Sequence, residues 1–173
     1  MQNAQVPVIG FAAFSGAGKT TLLTQIIPIL IKQHFRPGLI KHSHHNFSID
    51  KPGKDSYRLR VAGASPVMLV SNHRRAIITE FKIPQEPRLD DQLKILDQEQ
   101  LDLILVEGFK SEIFPKIEIH RPALKKPLLY PEDNSIIALA SDTKISTPDA
   151  IKFLDLNKPE SITNFIINHF LKN

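Results

Sequence analysis

The sequence predicts an α/β fold in which a doubly wound, mostly parallel sheet has a β-hairpin insertion. Apolar runs of strand length alternate with segments of helical periodicity along most of the 173 residues. Two strand-like runs, residues 67–70 and 76–79, flank a short polar turn and predict an antiparallel hairpin. Since the sequence shows no internal repeat or linker, we expect one domain spanning residues 1–173.

The first elements form a predicted strand–helix–strand unit. Residues 6–12 have the length and bulk of a buried strand, and residues 22–33 have apolar side chains at helical spacing, with a kink expected at Pro28. After a turn at residues 36–38, residues 38–41 predict a second strand. A unit of this kind predicts two parallel strands joined by a right-handed crossover.

The rest of the chain continues the alternation. Short helices are predicted over residues 55–62, ending at Gly63, and over residues 89–96. Apolar side chains at helical spacing within residues 162–170 predict a C-terminal helix. Further apolar or alternating runs predict strands over residues 101–106, 116–120, 135–140 and 151–156. The exposed edges of the hairpin could pair with a second copy of the chain, unless Arg74 and Arg75 prevent it.

Composition narrows the possible function classes. A content of 42% hydrophobic and 23% charged residues is ordinary for a globular protein, and the lack of cysteine excludes disulfides and thiolate metal sites. The net charge of +4 comes without a dense basic run, so we do not expect nucleic acid as a partner. No signal peptide or membrane-length apolar run is recognisable, so we expect a cytoplasmic protein that does not bind membranes.

A phosphate-binding loop is predicted between the first strand and the first helix. Its residues are Ser15, Gly16, Ala17, Gly18, Lys19, Thr20 and Thr21. They match the Walker A pattern, except that Ala13 replaces its first glycine. Gly16 and Gly18 permit the tight bend that points successive N–H groups at an anion. Lys19 is expected to contact the β- and γ-phosphates and Thr20 to bind Mg²⁺, whereas the alternative is a turn that merely caps a helix.

A second indication of nucleotide binding is Glu107, which follows the predicted strand at residues 101–106. Ligands of open α/β sheets bind at the carboxyl ends of strands, so Glu107 is expected to hold Mg²⁺ directly or through water, with Gly108 leaving room for the γ-phosphate. The alternative is a solvent-facing acid. Lys19, Thr20 and Glu107 are therefore the candidate catalytic residues.

The segment after the second strand is rich in cationic and imidazole groups. Four of them, Lys41, His42, His44 and His45, could form a polar wall for an anionic ligand. A transition-metal site and a plain solvated loop are the alternatives. Lys54 extends the positive region, and Asp50 or Asp55 could contact Mg²⁺, as acids in mobile loops do in many nucleotide switches.

Base recognition is expected at the end of a late strand. The Asp142 carboxylate could accept hydrogen bonds from both N1–H and the exocyclic amine of guanine. Asp155 and Asn157 are rival candidates for binding the base, and the alternative is that Asp142 merely caps a loop.

Further cations follow Glu107 and either add to the site or form surface pairs with Glu112 or Glu118. They are Lys110, Lys116, His120 and Arg121.

Together these motifs resemble one family. The segments that match are residues 15–23, 40–45, 50–58, 62–64, 105–110 and 115–118. Over nearly its whole length the chain resembles MobB, the family of molybdopterin-guanine dinucleotide biosynthesis adaptor proteins. The resemblance implies a P-loop NTPase-type fold and a homodimer that binds GTP and Mg²⁺ and hydrolyses GTP weakly. It also implies assistance to a MobA-type guanylyltransferase, which joins GMP to molybdopterin in molybdenum cofactor biosynthesis.

Two other functions remain open from the residues alone. The same loop could serve a small-molecule kinase, with Asp50 or Asp55 accepting the proton of a substrate hydroxyl. The histidines could instead belong to a non-catalytic metal-delivery or scaffold module.

Overall fold

The computed structural model describes residues 1–43 and 47–172. The chain folds into two compact units. We call Met1–His42 with Arg88–Asn173 the sheet unit, and Ser43–Pro87 the inserted unit. The expectation that the whole chain is one domain stays a prediction.

Every predicted strand and helix is found in the described residues. The strands are β1 (Val8–Ala12), β2 (Pro37–Lys41), β3 (Val67–Val70), β4 (Arg75–Ile78), β5 (Leu103–Glu107), β6 (Lys116–His120), β7 (Ile136–Ser141) and β8 (Lys152–Asp155). The helices are α1 (Lys19–Lys32), α2 (Asp55–Val61), α3 (Leu89–Ile95) and α4 (Pro159–Phe170), with a 3₁₀ turn at Pro122–Leu124. Helix α1 begins at Lys19, earlier than predicted, and continues through Pro28.

The sheet unit contains a parallel sheet in the order β2-β5-β1-β6-β7-β8. β1 and β2 are parallel as predicted, but β5 lies between them. All these strands therefore present their carboxyl ends at one edge of the sheet, where β1 leads into the phosphate loop. This confirms the predicted doubly wound architecture of P-loop proteins.

Helices cover both faces of the sheet, because successive strand residues point to opposite faces. Leu103 and Leu105 of β5 belong to a core cluster with α1 and α4. Ile104 and Val106 belong to a second cluster with α3. Within the residues that the structure describes, no helix has the length and apolar character needed to cross a membrane.

Strand β6 is buried along its full length, although its polar and apolar residues alternate. Lys116 Nζ donates hydrogen bonds to Asp133 Oδ2 at 2.9 Å, to Ser135 Oγ at 2.8 Å and to the Lys110 carbonyl at 3.1 Å. Burial raises the pKa of the neighbouring Glu118 against the opposing effect of two backbone N–H donors and His120. The expectation that Lys116 belongs to a ligand site or a surface pair is therefore wrong, since it is an internal cation.

The inserted unit consists of α2 and the antiparallel β3–β4 hairpin, as predicted. Neither hydrophobic core cluster includes a described residue of the inserted unit, that is, residue 43 or any of residues 47–87. Met68, Val70 and Ile77 expose 59%, 73% and 50% of their surface on one face of the hairpin. A two-stranded ribbon with so little burial is marginally stable by itself.

Candidate functional site

The phosphate loop turns sharply between β1 and α1. Gly16 and Gly18 have φ angles of 81° and 98°, which side chains other than glycine rarely adopt. In the described part of the chain no side chain caps the start of α1. The N–H groups of the first helical turn are therefore available to an anion, and the helix dipole favours one there.

Lys19 lies in the first turn of α1, inside this bend. Its Nζ donates hydrogen bonds to the carbonyls of Ala13 at 3.1 Å and Phe14 at 3.4 Å. Burial lowers the pKa of Lys19 below its ordinary value, Glu107 opposes the shift, and Lys110 and Lys41 add to it. An anion bound among these lysines would compensate the repulsion that disfavours the charged form of Lys19.

Thr20, Glu107 and Lys41 come together at the ends of α1, β5 and β2. Thr20 Oγ1 donates to Glu107 Oε1 at 3.4 Å, and Lys41 Nζ lies 3.2 Å from Glu107 Oε2. The Glu107 side chain is 12% exposed. Two residues 87 positions apart, both predicted to contact Mg²⁺, thus place their oxygens next to each other.

His42 packs against the segment that follows Glu107. The imidazole ring of His42 stacks on Phe109 at a centroid distance of 4.8 Å, and the backbone N–H of His42 donates to the Glu107 carbonyl at 2.8 Å. A Cβ on Gly108 would lie 2.6 Å from the Cβ of His42. The close approach of His42 is therefore a structural reason for glycine at position 108, independent of any phosphate.

Arg121, one of the cations expected near the site, makes contacts that the sequence did not predict. It follows β6, and its Nε donates to the Ala17 carbonyl at 3.0 Å. Its Nη1 donates to Asp142 Oδ2 at 2.6 Å. Arg121 thus links the phosphate loop to the end of β7, and one oxygen of the predicted guanine-binding carboxylate is already engaged.

The other predicted site residues are not found among the contacts of Lys19, Thr20 and Glu107 in the described part of the chain. Asp50 and Lys54 belong to the inserted unit, where Asp50 Oδ1 pairs with Arg60 Nη2 at 3.1 Å. His44 and His45 lie outside the described residues. Among residues 1–43 and 47–172, no three His, Asp or Glu side chains cluster in a way that could hold a metal ion. Thr20 and Glu107 offer oxygen ligands, which suit Mg²⁺ if phosphate and water oxygens complete its coordination.

Comparison with known proteins identifies the family. A family model described as MobB, molybdopterin guanine dinucleotide synthesis protein B, matches residues 8–142. The chain belongs to the MobB family. A relative from Escherichia coli (strain K12), named molybdopterin-guanine dinucleotide biosynthesis adapter protein, is 45% identical over 173 residues, covering 98% of this chain and 97% of its own length. A relative of the same name from Haemophilus influenzae is 45% identical over 96% of this chain and 90% of its own length.

Solved structures agree with the MobB fold. A crystal structure of molybdopterin-guanine biosynthesis protein B superposes with a TM-score of 0.71 at 23% identity, covering 94% of this chain and 99% of the other. A MobB homologue from Bacillus stearothermophilus gives 0.70 at 21% identity, covering 96% and 99%. At such identities these matches speak for the fold alone.

Proposed function

We propose that this MobB-family chain is a GTP-binding adaptor in molybdopterin-guanine dinucleotide biosynthesis. The family model and the names of the relatives support the pathway. The observation that carries the nucleotide part is the 3.4 Å approach of Thr20 to Glu107 beside a loop of phosphate-binding geometry. A hydroxyl and a carboxylate placed next to such a loop are the side chains that Mg²⁺–nucleotide sites use.

In this proposal the chain's own groups divide the work. The backbone N–H groups of residues 16–20 hold the phosphates, and Lys19 neutralises part of their charge. Thr20 and Glu107 would hold Mg²⁺, which supplies further charge neutralisation when bound. Lys41 pairs with Glu107 at 3.2 Å and competes with the metal, so Mg²⁺ binding is expected to need the nucleotide's oxygens as well.

Hydrolysis is proposed to be slow. An arginine directed at the transferring phosphoryl group accelerates such reactions by about 10³–10⁵. The guanidinium of Arg121 lies near the loop, but it is occupied by Asp142 and the Ala17 carbonyl. The chain would therefore use GTP mainly as a bound ligand.

Product analysis separates this function from a kinase. The protein is incubated with Mg²⁺ and GTP or ATP, with and without pterin acceptors, and the products are resolved by anion exchange. Slow release of free phosphate from GTP is the expected result. A phosphorylated pterin would instead show that the chain is a small-molecule kinase.

The partners are also part of the proposal: a MobA-type guanylyltransferase, molybdopterin or the molybdenum cofactor, and a second copy of this chain, all in the cytoplasm. The homodimer is supported by the apolar face of the hairpin, because exposed strands and apolar side chains favour pairing.

The Ile77→Lys variant tests this interface, and its sedimentation should show a monomer. The control Ile95→Lys, at an isoleucine of α3 that is 76% exposed, should remain dimeric. Equal sedimentation of the two variants would argue against this interface.

A further inference from the structure

A cavity of about 390 Å³ opens beside the phosphate loop. Gly18 of the loop and Gln25 of α1 form one wall, and Arg121 forms a second. Asn157 and Glu160, which follow β8, form the third. A volume of this size is within the range of small-molecule sites.

The position of the cavity connects it to the phosphate loop. Arg121 follows β6 and Asn157 follows β8, so both walls lie beyond the carboxyl ends of parallel strands, where open α/β sheets bind ligands. Gly18 belongs to both the loop and the cavity. A nucleotide whose phosphates lie on the loop therefore has this space available for its nucleoside.

We propose that the cavity receives the guanine base and that the Glu160 carboxylate recognises it; this inference rests on the proposed GTP binding. Glu160 lines the cavity in the first turn of α4 and is exposed. Asp142, the residue expected from the sequence, is a weaker candidate, since its Oδ2 is engaged by Arg121 at 2.6 Å. Bidentate recognition of guanine by Asp142 would require Oδ2 to accept a hydrogen bond from the base while it also accepts one from Arg121.

The edge of guanine explains the choice of a carboxylate. Guanine presents N1–H and an exocyclic amine side by side, two donors that match the two oxygens of Glu160. Adenine presents an acceptor at N1, which a carboxylate repels. The Asn157 amide in the same wall can donate to O6 of guanine. A site built this way discriminates strongly, because the wrong base leaves polar groups without partners.

Glu160→Gln tests the assignment, because glutamine offers one acceptor and one donor. That pattern suits xanthine, which keeps N1–H but has an oxygen in place of the amine. The binding of GTP, XTP and inorganic triphosphate is measured by calorimetry with Mg²⁺. We expect Glu160→Gln to lose about 10- to 100-fold in GTP affinity, to gain XTP affinity, and to bind triphosphate unchanged. The exposed control Glu99→Gln should behave like the wild type.

The outcomes distinguish this inference from the proposed function. If the wild type does not bind GTP, both are overturned. If it binds GTP but Glu160→Gln leaves the GTP-to-XTP ratio unchanged, the base assignment alone is overturned. A switch to XTP in Asp142→Asn, with none in Glu160→Gln, would assign the base to Asp142. A glutamate that only complements the helix dipole would change the thermal stability and not the base preference.

Discussion

Replacing Lys116 with methionine should destabilise the protein severely. The Lys116 side chain is 2% exposed and its ammonium binds Asp133, Ser135 and two backbone carbonyls. Methionine fills a similar volume but leaves these acceptors unsatisfied and the Asp133 charge without its partner. Removing one member of a buried ion pair costs about 3–5 kcal/mol. For a chain of this size, that corresponds to a fall in Tm of about 6–20 °C.

Urea unfolding followed by circular dichroism measures the loss. Lys152→Met is the matched control, because Lys152 is an exposed lysine of β8 in the same sheet and its replacement should change the free energy of unfolding by less than about 0.5 kcal/mol. The double variant with Asp133→Asn should lose less than the sum of the two single losses, since the residues share one interaction. If Lys116→Met and Lys152→Met unfold at the same urea concentration, the reasoning about the buried cation is refuted.

Three further predictions follow from the site and its surroundings. Glu107→Gln should reduce the effect of Mg²⁺ on GTP affinity by about tenfold or more, measured by titrations with Mg²⁺ and with EDTA; equal Mg²⁺ dependence would contradict its metal role. Burial alone would raise the pKa of Asp133, but hydrogen bonds from Ser135 and Lys116 hold that pKa below its ordinary value. The resulting stabilisation is present above the unfolded pKa of about 3.9 and is lost as pH falls through the folded pKa, so the stability advantage of the wild type over Asp133→Asn should shrink below about pH 4. Gly108→Ala should destabilise more than Gly53→Ala, because both have positive φ but only Gly108 would contact His42; equal losses in thermal unfolding would argue against that contact.

The parts of the site that are local in sequence could be predicted well. The phosphate loop needs a strand, two glycines, a lysine and a helix start within about a dozen residues, and all are adjacent in the chain. The approach of Thr20 to Glu107 could also be predicted, because Thr20 follows β1 and Glu107 ends β5, and the carboxyl ends of these two strands share one edge of the sheet.

The contacts of Arg121 and Lys116 depend on sheet order, which local patterns do not contain. Arg121 reaches Ala17 across 104 residues only because β6 lies next to β1. Lys116 is buried because β6 is an internal strand between β1 and β7 and its ammonium is enclosed by the surrounding loops. Alternating polar and apolar residues are typical of half-exposed strands, so the sequence pattern favoured a surface position.

The central claim is that the phosphate loop binds GTP, and the affinity of Lys19→Ala tests it most directly. Calorimetric titration with GTP and Mg²⁺ compares the wild type, Lys19→Ala and Lys32→Ala, whose lysine lies in the last turn of the same helix. Loss of a charge-assisted contact of about 1.5–3 kcal/mol should weaken GTP binding about 10- to 150-fold in Lys19→Ala and leave Lys32→Ala unchanged. Equal GTP affinity in all three proteins would contradict the account.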